Sequence, residues 1–293
     1  MRKFILTTAI VLTVLSTSAQ NSINVFDAIP DPLFKEYCQR YDLNGDGILS
    51  LAEADAVTRM DILDDGYSPK VTPIINDAGA RTSKYEYSYI KSLDGIEYFT
   101  NLTLLNFNGS SISSIDLSKN TKLTRLNCRE NKLTELNLEN NTALTNLACG
   151  INKLETLDIS NNTALTELDC CGNLLSELDL SNNTELSILI CCYNKLSTLD
   201  ISGNKQLIAL DCSSNGLKRI DISNNTALKN LYCNQNLINS LDLSNNNMIK
   251  YLYCYSNPKL SSIYVWSGFD FDKPGNSLSY FDKDSLAYFK LRP

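Results

Sequence analysis

Three groups of residues in this chain have the types and spacing to do chemistry: an acidic loop near the N-terminus, a periodic row of carboxylates and a periodic row of thiols. The segment Asp42-Leu43-Asn44-Gly45-Asp46-Gly47-Ile48-Leu49-Ser50-Leu51-Ala52-Glu53 fits the 12-residue EF-hand loop at every diagnostic place. Asp42, Asn44 and Asp46 supply side-chain oxygens, Gly47 permits the sharp turn and Ile48 offers its carbonyl. Ser50 acts through water, and Glu53 closes the site with both oxygens, so one structural Ca2+ is the expected cofactor. No second loop of this pattern follows, which speaks against a paired sensor and for a cap held by the ion. The carboxylate row is Asp116, Asp158, Asp179, Asp200, Asp221 and Asp242, each with Ser two positions on. A glycan-acting carboxylate pair would have to come from it, yet a flat row offers no cleft in which one member can be desolvated and retuned. The chain has no His, which removes Ser-His-Asp and Cys-His catalysis and imidazole-bound zinc. With 26 Lys+Arg against 33 Asp+Glu and a net charge of −7, an electrostatic grip on nucleic acid or anionic lipid is disfavoured.

The thiols reveal the elements that position everything else. Cys128, Cys149, Cys170, Cys191, Cys212, Cys233 and Cys254 recur every 21 residues without an insertion. Two Asn series keep the same period, from Asn131 to Asn257 and from Asn120 to Asn246. Leu147-x-Cys149 and Leu157-x-Ile159 alternate in and out with period two, so both halves of each unit read as short strands. A 21-residue unit cannot bury its own apolar face, and successive coils must stack with parallel strands about 4.8 Å apart. Asn suits the turns, where its amide bonds to nearby main chain and it tolerates left-handed backbone.

The unit L-x-x-L-x-C-x-x-N-x-L-x-x-L-x-(L/I)-x-x-N-x-x, running from about Leu102 to Trp266, resembles the bacterial secreted leucine-rich repeat proteins with a cysteine ladder, the internalin J-like group. That resemblance implies a repeat solenoid: a right-handed leucine-rich-repeat superhelix of mostly short parallel β-strands with a small α-helical N-terminal cap. It also implies an adhesive role. The organisation expected is a signal peptide over 1–19, an N-terminal cap over 20–92, repeats over 93–266 and a C-terminal cap over 267–293. Arg2 and Lys3, an apolar run over 4–15 and Ser-Thr-Ser-Ala before Gln20 give the signal peptide its charge, core and small-residue order, with cleavage near Ala19 and a secreted product. Twelve apolar residues are too few to span a membrane. Asp31-Pro32 starts a helix that carries Phe34, Tyr37 and Cys38 on one side, and residues 65–89 read as an irregular insertion.

The seven ladder cysteines take inward positions, where a reduced thiol is a small hydrophobe. Ligands one coil apart on a line cannot converge on one zinc. Cys171 and Cys192 each follow a ladder Cys and so face outward, one coil apart and within disulfide range, as a bonded pair or as two free thiols. Outward residues on the half without cysteine are monotonous and read as scaffold. Those on the cysteine half vary, and Ile188, Ile190, Tyr232, Tyr251, Tyr253 and Tyr255 place apolar and aromatic groups toward solvent as a ligand-binding surface. The alternative is that the tyrosines pack under the C-terminal cap. The reading is a non-enzymatic binding protein for a protein or glycan at a cell surface. A structural surface or matrix component without a specific ligand is the alternative, and a glycan-acting enzyme built on the Asp row a distant third.

Overall fold

The computed structural model describes residues 23–62, 70–75 and 81–291. The signal peptide expected over residues 1–19 lies outside them. Helix α1 (Pro32–Cys38) starts where Pro at its first position and Asp31 as N-cap predict, and buries Phe34, Tyr37 and Cys38 together. One oxygen of Asp31 accepts the N–H groups of Leu33 and Phe34 at 2.9 and 3.0 Å, and the other takes those of Lys91 and Ser92 at 2.7 and 3.2 Å. A single buried carboxylate thus begins the helix and ties it to the chain entering the first coil. Helix α2 (Leu51–Ala56) opens on a capping box between Ser50 and Glu53, which satisfies two otherwise orphaned N–H groups. Strand β1 (Arg59–Asp61) follows.

Part of the 65–89 segment is more regular than its composition suggests. Strands β2 (Lys70–Ile75) and β3 (Arg81–Ser88) form an antiparallel two-stranded sheet whose register shifts between Pro73 and Ile75. Proline is accommodated because a strand with one neighbour leaves alternate N–H groups without a ladder partner to lose.

The cysteine half of the coils builds the main sheet. Strands β4 (Leu104–Asn106), β5 (Arg125–Asn127), β6 (Asn146–Ala148), β7 (Glu167–Asp169), β8 (Ile188–Ile190), β9 (Ala209–Asp211) and β10 (Asn230–Tyr232) pair in parallel, each residue with the one 21 positions on. β1 precedes them, and β12 (Tyr251–Tyr253) and β14 (Tyr280–Asp282) follow, giving ten strands. The central leucines from Leu105 to Leu252 and all seven ladder cysteines are buried. Phe107 stands one coil ahead of Cys128 and is fully buried as well, closing the sulfur column with a ring.

The other half forms strands only at the C-terminal end, where β11 (Ser240–Asp242), β13 (Ser262–Val265) and β15 (Tyr288–Leu291) pair in parallel. In earlier coils the expected second sheet is replaced by bends. A side-chain oxygen accepts the N–H two residues on there, Asp158 from Ser160, Asp179 from Ser181 and Asn137 from Glu139 at 2.9 Å, and Asp242 does the same for Ser244 in the coil that forms β11.

The turns also differ from expectation. The left-handed residue is the one before each first-series Asn: Glu130, Ile151, Tyr193, Ser214, Gln235 and Ser256 have φ of 50–56°, with Gly109 and Gly172 at the equivalent places. The Asn itself works through its amide. Asn173 Nδ2 donates to the carbonyls of Cys149 and Cys170, and its Oδ1 accepts from the Leu154 N–H. The second series uses its donors alike: Asn183 Nδ2 reaches the carbonyls of Ile159 and Asn162.

Candidate functional site

The outer face of the ten-stranded sheet is one strip of three zones. At its N-terminal end a groove of about 460 Å³ is lined among others by Arg125, Asn127, Glu167, Asp169, Ile188 and Ile190. Ile188 and Ile190 are half-buried, held outward on β8 because Leu189 between them points into the core. Arg129 reaches over one coil to form an ion pair with Asp169. That reach needs Gly150 beneath it, since a Cβ there would lie 2.9 Å from the Arg129 guanidinium and 2.9 Å from the Cys171 carbonyl. Sequence reasoning missed this pair. Its signal is the glycine between two charged outward residues 40 positions apart.

In the middle zone Cys171 and Cys192 form a disulfide with Cα atoms 4.6 Å apart. Parallel register sets that spacing, so the bridge forms without bending the sheet. Cys171 is half-buried and Cys192 buried, so the second of these expected outward groups is covered. The eight remaining cysteines are free and buried. Burial pushes the Cys149, Cys212 and Cys254 thiols up to about 12, leaving no thiolate for nucleophilic work.

The C-terminal zone is aromatic. Tyr232, Tyr253 and Tyr280 stack face to face with ring centroids 4.9 Å apart at both steps, the spacing of the coils themselves. Of the tyrosines expected here, Tyr232 and Tyr253 join the stack, while Tyr251 is exposed and Tyr255 half-buried outside it. Tyr280 comes from the cap, 29 residues after its register partner Tyr251, where the 21-residue period has ended, and its ring on Tyr253 is the contact expected of the alternative in which the tyrosines pack under the cap. The cap's phenylalanines do not seek the tyrosines: Phe269 packs on Trp266 and Phe289, and Phe281 on Phe289. Stacking covers both faces of Tyr253. Tyr253 therefore shows its ring edge and hydroxyl to solvent instead of a flat aromatic platform.

The Asp row on the opposite side holds its carboxyls alike. The backbone N–H and hydroxyl of Ser181 keep Asp179 below the usual carboxylate range, as those of Ser202 do Asp200. A general acid needs its pKa raised, and the hydrogen bonds at Asp116, Asp158, Asp179, Asp200 and Asp221 act in the opposite direction.

The structure places Asp42, Asn44, Asp46, Ile48 and Ser50 between α1 and α2, and Glu53 at the third position of α2. Gly45 and Gly47 have φ of 70 and 81°. Asp42 accepts the N–H groups of Gly45 and Gly47 at 2.8 and 2.9 Å, and Asp46 that of Ile48 at 2.8 Å. Glu53 takes the Leu43 N–H and the Ser50 N–H and hydroxyl. Among the described residues no three acidic, Cys or His side chains gather at one point as metal ligands. The carboxylates face the loop's own amides. As chemistry the donor set fits: three carboxylates, an amide, a hydroxyl and a carbonyl are the all-oxygen ligands that a hard divalent cation takes.

No protein-family model matches the chain, and none of the curated proteins compared with it matches either. Solved structures do. The functional domain of InlJ from Listeria monocytogenes, which includes a cysteine ladder, is similar at TM-score 0.64 and 27% identity over 92% of this chain and 63% of that one. A leucine-rich repeat protein of Leptospira interrogans is similar at TM-score 0.57 and 20% identity, over 70% of this chain and 54% of that one. Internalin C2 of Listeria monocytogenes matches at TM-score 0.55 and 15% identity, over 92% of this chain and all of that one. The chain thus spans less than two thirds of the first two. Among the described residues no helix is long and apolar enough to cross a membrane. With parallel strands in 21-residue register, a buried column of sulfurs and these neighbours, the protein is a leucine-rich-repeat solenoid with a cysteine ladder, similar to the internalins.

Proposed function

We propose that this chain is a secreted, non-enzymatic recognition protein that binds a partner protein along the outer face of its ten-stranded sheet. One observation carries the reading: on a scaffold repeated coil by coil, the outward residues of this sheet change composition along the strip, from an ionic zone through Ile188 and Ile190 to tyrosines. Variation on a rigid support is how a surface acquires specificity, and exposed aliphatic and tyrosine anchors are where interface energy concentrates. The stack favours a protein over a glycan, because sugars pack on ring faces and the faces of Tyr253 are taken by Tyr232 and Tyr280.

The same reading includes one Ca2+ held by Asp42, Asn44, Asp46 and Glu53 through side-chain oxygens, by the Ile48 carbonyl and by Ser50. Bound there, the ion would neutralise the acidic loop and brace the cap against the first coil.

The test presents the chain to an array of cell-surface proteins and to a glycan array. Ile188→Asp and Tyr251→Ser are expected to weaken the protein hits by roughly tenfold or more with an unchanged thermal midpoint, since both side chains stand outside the core. Hits on glycans alone, or variants that bind like the parent, would overturn the reading in favour of a sugar ligand or a structural component.

A further inference from the structure

We propose that the turn edge over residues 151–195 is a second docking site, which takes a partner protein through one apolar side chain set between carboxylates. It lies beside the strip of the proposed function and goes beyond that reading. The turn after each repeat strand of the ten-stranded sheet puts two side chains outward, one on either side of its amide-bonded Asn. In three successive coils these are Ile151 and Lys153, Gly172 and Leu174, and Tyr193 and Lys195. Ile151, Leu174 and Tyr193 are 47, 37 and 60% exposed.

Packing does not require them. Glu, Ser or Gln serves at the place of Ile151 and Tyr193 in other coils, and Lys or Gly at the place of Leu174. The coil before has Glu130 and Lys132 there, and the coil after has Ser214 and Gly216, so the apolar stretch has polar ends. A single exposed apolar residue such as Leu237 is ordinary, whereas three in neighbouring coils mark a contact surface.

The group also has a shape. Ile151 and Tyr193 stand two coils apart, about 10 Å at the spacing of strands, and Gly172 puts no side chain between them. A Cβ there would meet Ile151 Cγ1 at 3.4 Å, an ordinary contact, so the place is left open where a side chain would fit. Cys171 and Cys192 immediately precede Gly172 and Tyr193, and their disulfide ties the floor of this opening to its far wall. The other coils stack with free, buried cysteines. Here the bond fixes a shape before the partner arrives, which lowers the ordering cost of binding.

Charge selects the occupant. Lys132, Lys153 and Lys195 are exposed, and among the described residues none of them is in an ion pair. Glu130 is the one acid in these turns, with Glu155 two residues beyond Lys153, so the edge is basic on a chain of net charge −7. An opening one coil wide takes a single aliphatic or aromatic side chain, and lysines on either side of it take carboxylates. A protein segment of the order acid, apolar, acid supplies both. An anionic bilayer supplies charge without a protruding side chain to fill the opening.

A random peptide library displayed on phage and selected on the full chain decides the matter. Enriched peptides should carry an apolar residue flanked by Asp or Glu. As synthetic peptides they should lose roughly tenfold or more in affinity on Tyr193→Asp, and separately on Lys153→Glu with Lys195→Glu. Thermal midpoints should stay near that of the parent, since these side chains stand outside the core, and Ile188→Asp and Tyr251→Ser should bind the peptides like the parent. No enrichment, enriched peptides without acids, or edge variants that bind like the parent would overturn the proposal. Loss of the peptides on Ile188→Asp would do so as well, by placing them on the strip. So would parent binding to phosphatidylglycerol vesicles that Tyr193→Asp abolishes, which makes the edge a lipid contact, or a parent dimer in sedimentation that Tyr193→Asp dissolves, which makes it a contact between copies. Failure here leaves the partner-binding reading of the strip standing, since that is tested at Ile188 and Tyr251.

Discussion

Ile151 holds its backbone at φ 56° with its side chain 47% exposed, a conformation that brings a β-branched Cβ against its own peptide. The same turn recurs in each coil and is met by Glu, Tyr, Ser or Gln, and by Gly only at Gly109 and Gly172. The Asn after it fastens the turn, Asn152 Nδ2 donating to the carbonyls of Cys128 and Cys149. Replacing Ile151 by Gly should therefore raise stability by about 1 kcal/mol, measured by urea unfolding. No gain would mean that the turn is relaxed already. The sequence showed that something recurs here, through the Asn series, but not which residue bears the strain, because the residue types at that place share no property. The cysteines were the opposite case: one residue type at one place in seven coils is legible as an inward column, and every one of them is buried.

At the scale of elements, the N-terminal cap is held by Asp31, whose carboxylate joins α1 to residues 91 and 92, and by the loop between α1 and α2. If that loop takes Ca2+, removing the ion exposes three carboxylates to one another and loosens the helix pair. Asp42→Ala, or a chelator added to the parent chain, should lower the thermal midpoint by a few degrees, as a loss of about 1 kcal/mol does in a chain of this size. An identical midpoint with and without Ca2+ would count against the ion. The loop and α1 were readable because their signals are local, a proline, a cap and a fixed donor spacing, whereas the helix expected from Ala52 to Met60 stops at Ala56 and gives way to strand β1 at Arg59. The bends that replace the second sheet were not readable, because Asp-x-Ser fits a strand's alternation as well as a turn. The same Asp Oδ1 to Ser N–H bond is made in the bend at Asp179 and at the strand that ends on Asp242, so it does not separate the two. The β2–β3 sheet was hidden because Pro73 within it argues for a loop until the partner strand is known.

Across the whole molecule, each coil contacts its neighbours through the same register, so a property of one coil is multiplied along the stack. The thiols are such a property. Their folded pKa is raised, to about 12 for Cys149, Cys212 and Cys254, from an ordinary value of 9.0. The unfolded chain releases these protons first, so above the unfolded value it binds fewer protons than the native state and stability falls as pH rises. Stability should be insensitive to the thiols below about pH 9 and decline steeply between there and about pH 12. Unfolding by urea across that range checks it: Cys149→Ala with Cys212→Ala should show a shallower decline, and parallel declines would assign the effect to other groups.

The sequence by itself determined the stacking of coils, the sulfur column and both Asn ladders. A 21-residue period leaves one way to bury its leucines, and each coil sees the same neighbours as the last. It also placed the helix, loop and helix ahead of the stack. Tertiary structure decided what depends on unlike neighbours: the ion pair of Arg129 and Asp169 over Gly150, the closing of Cys171 on Cys192, and the capture of Tyr253 between a repeat tyrosine and Tyr280 of the cap. These contacts join residues whose sequence separation carries no signal of its own. They exist because parallel register lays distant segments side by side at the spacing of one coil.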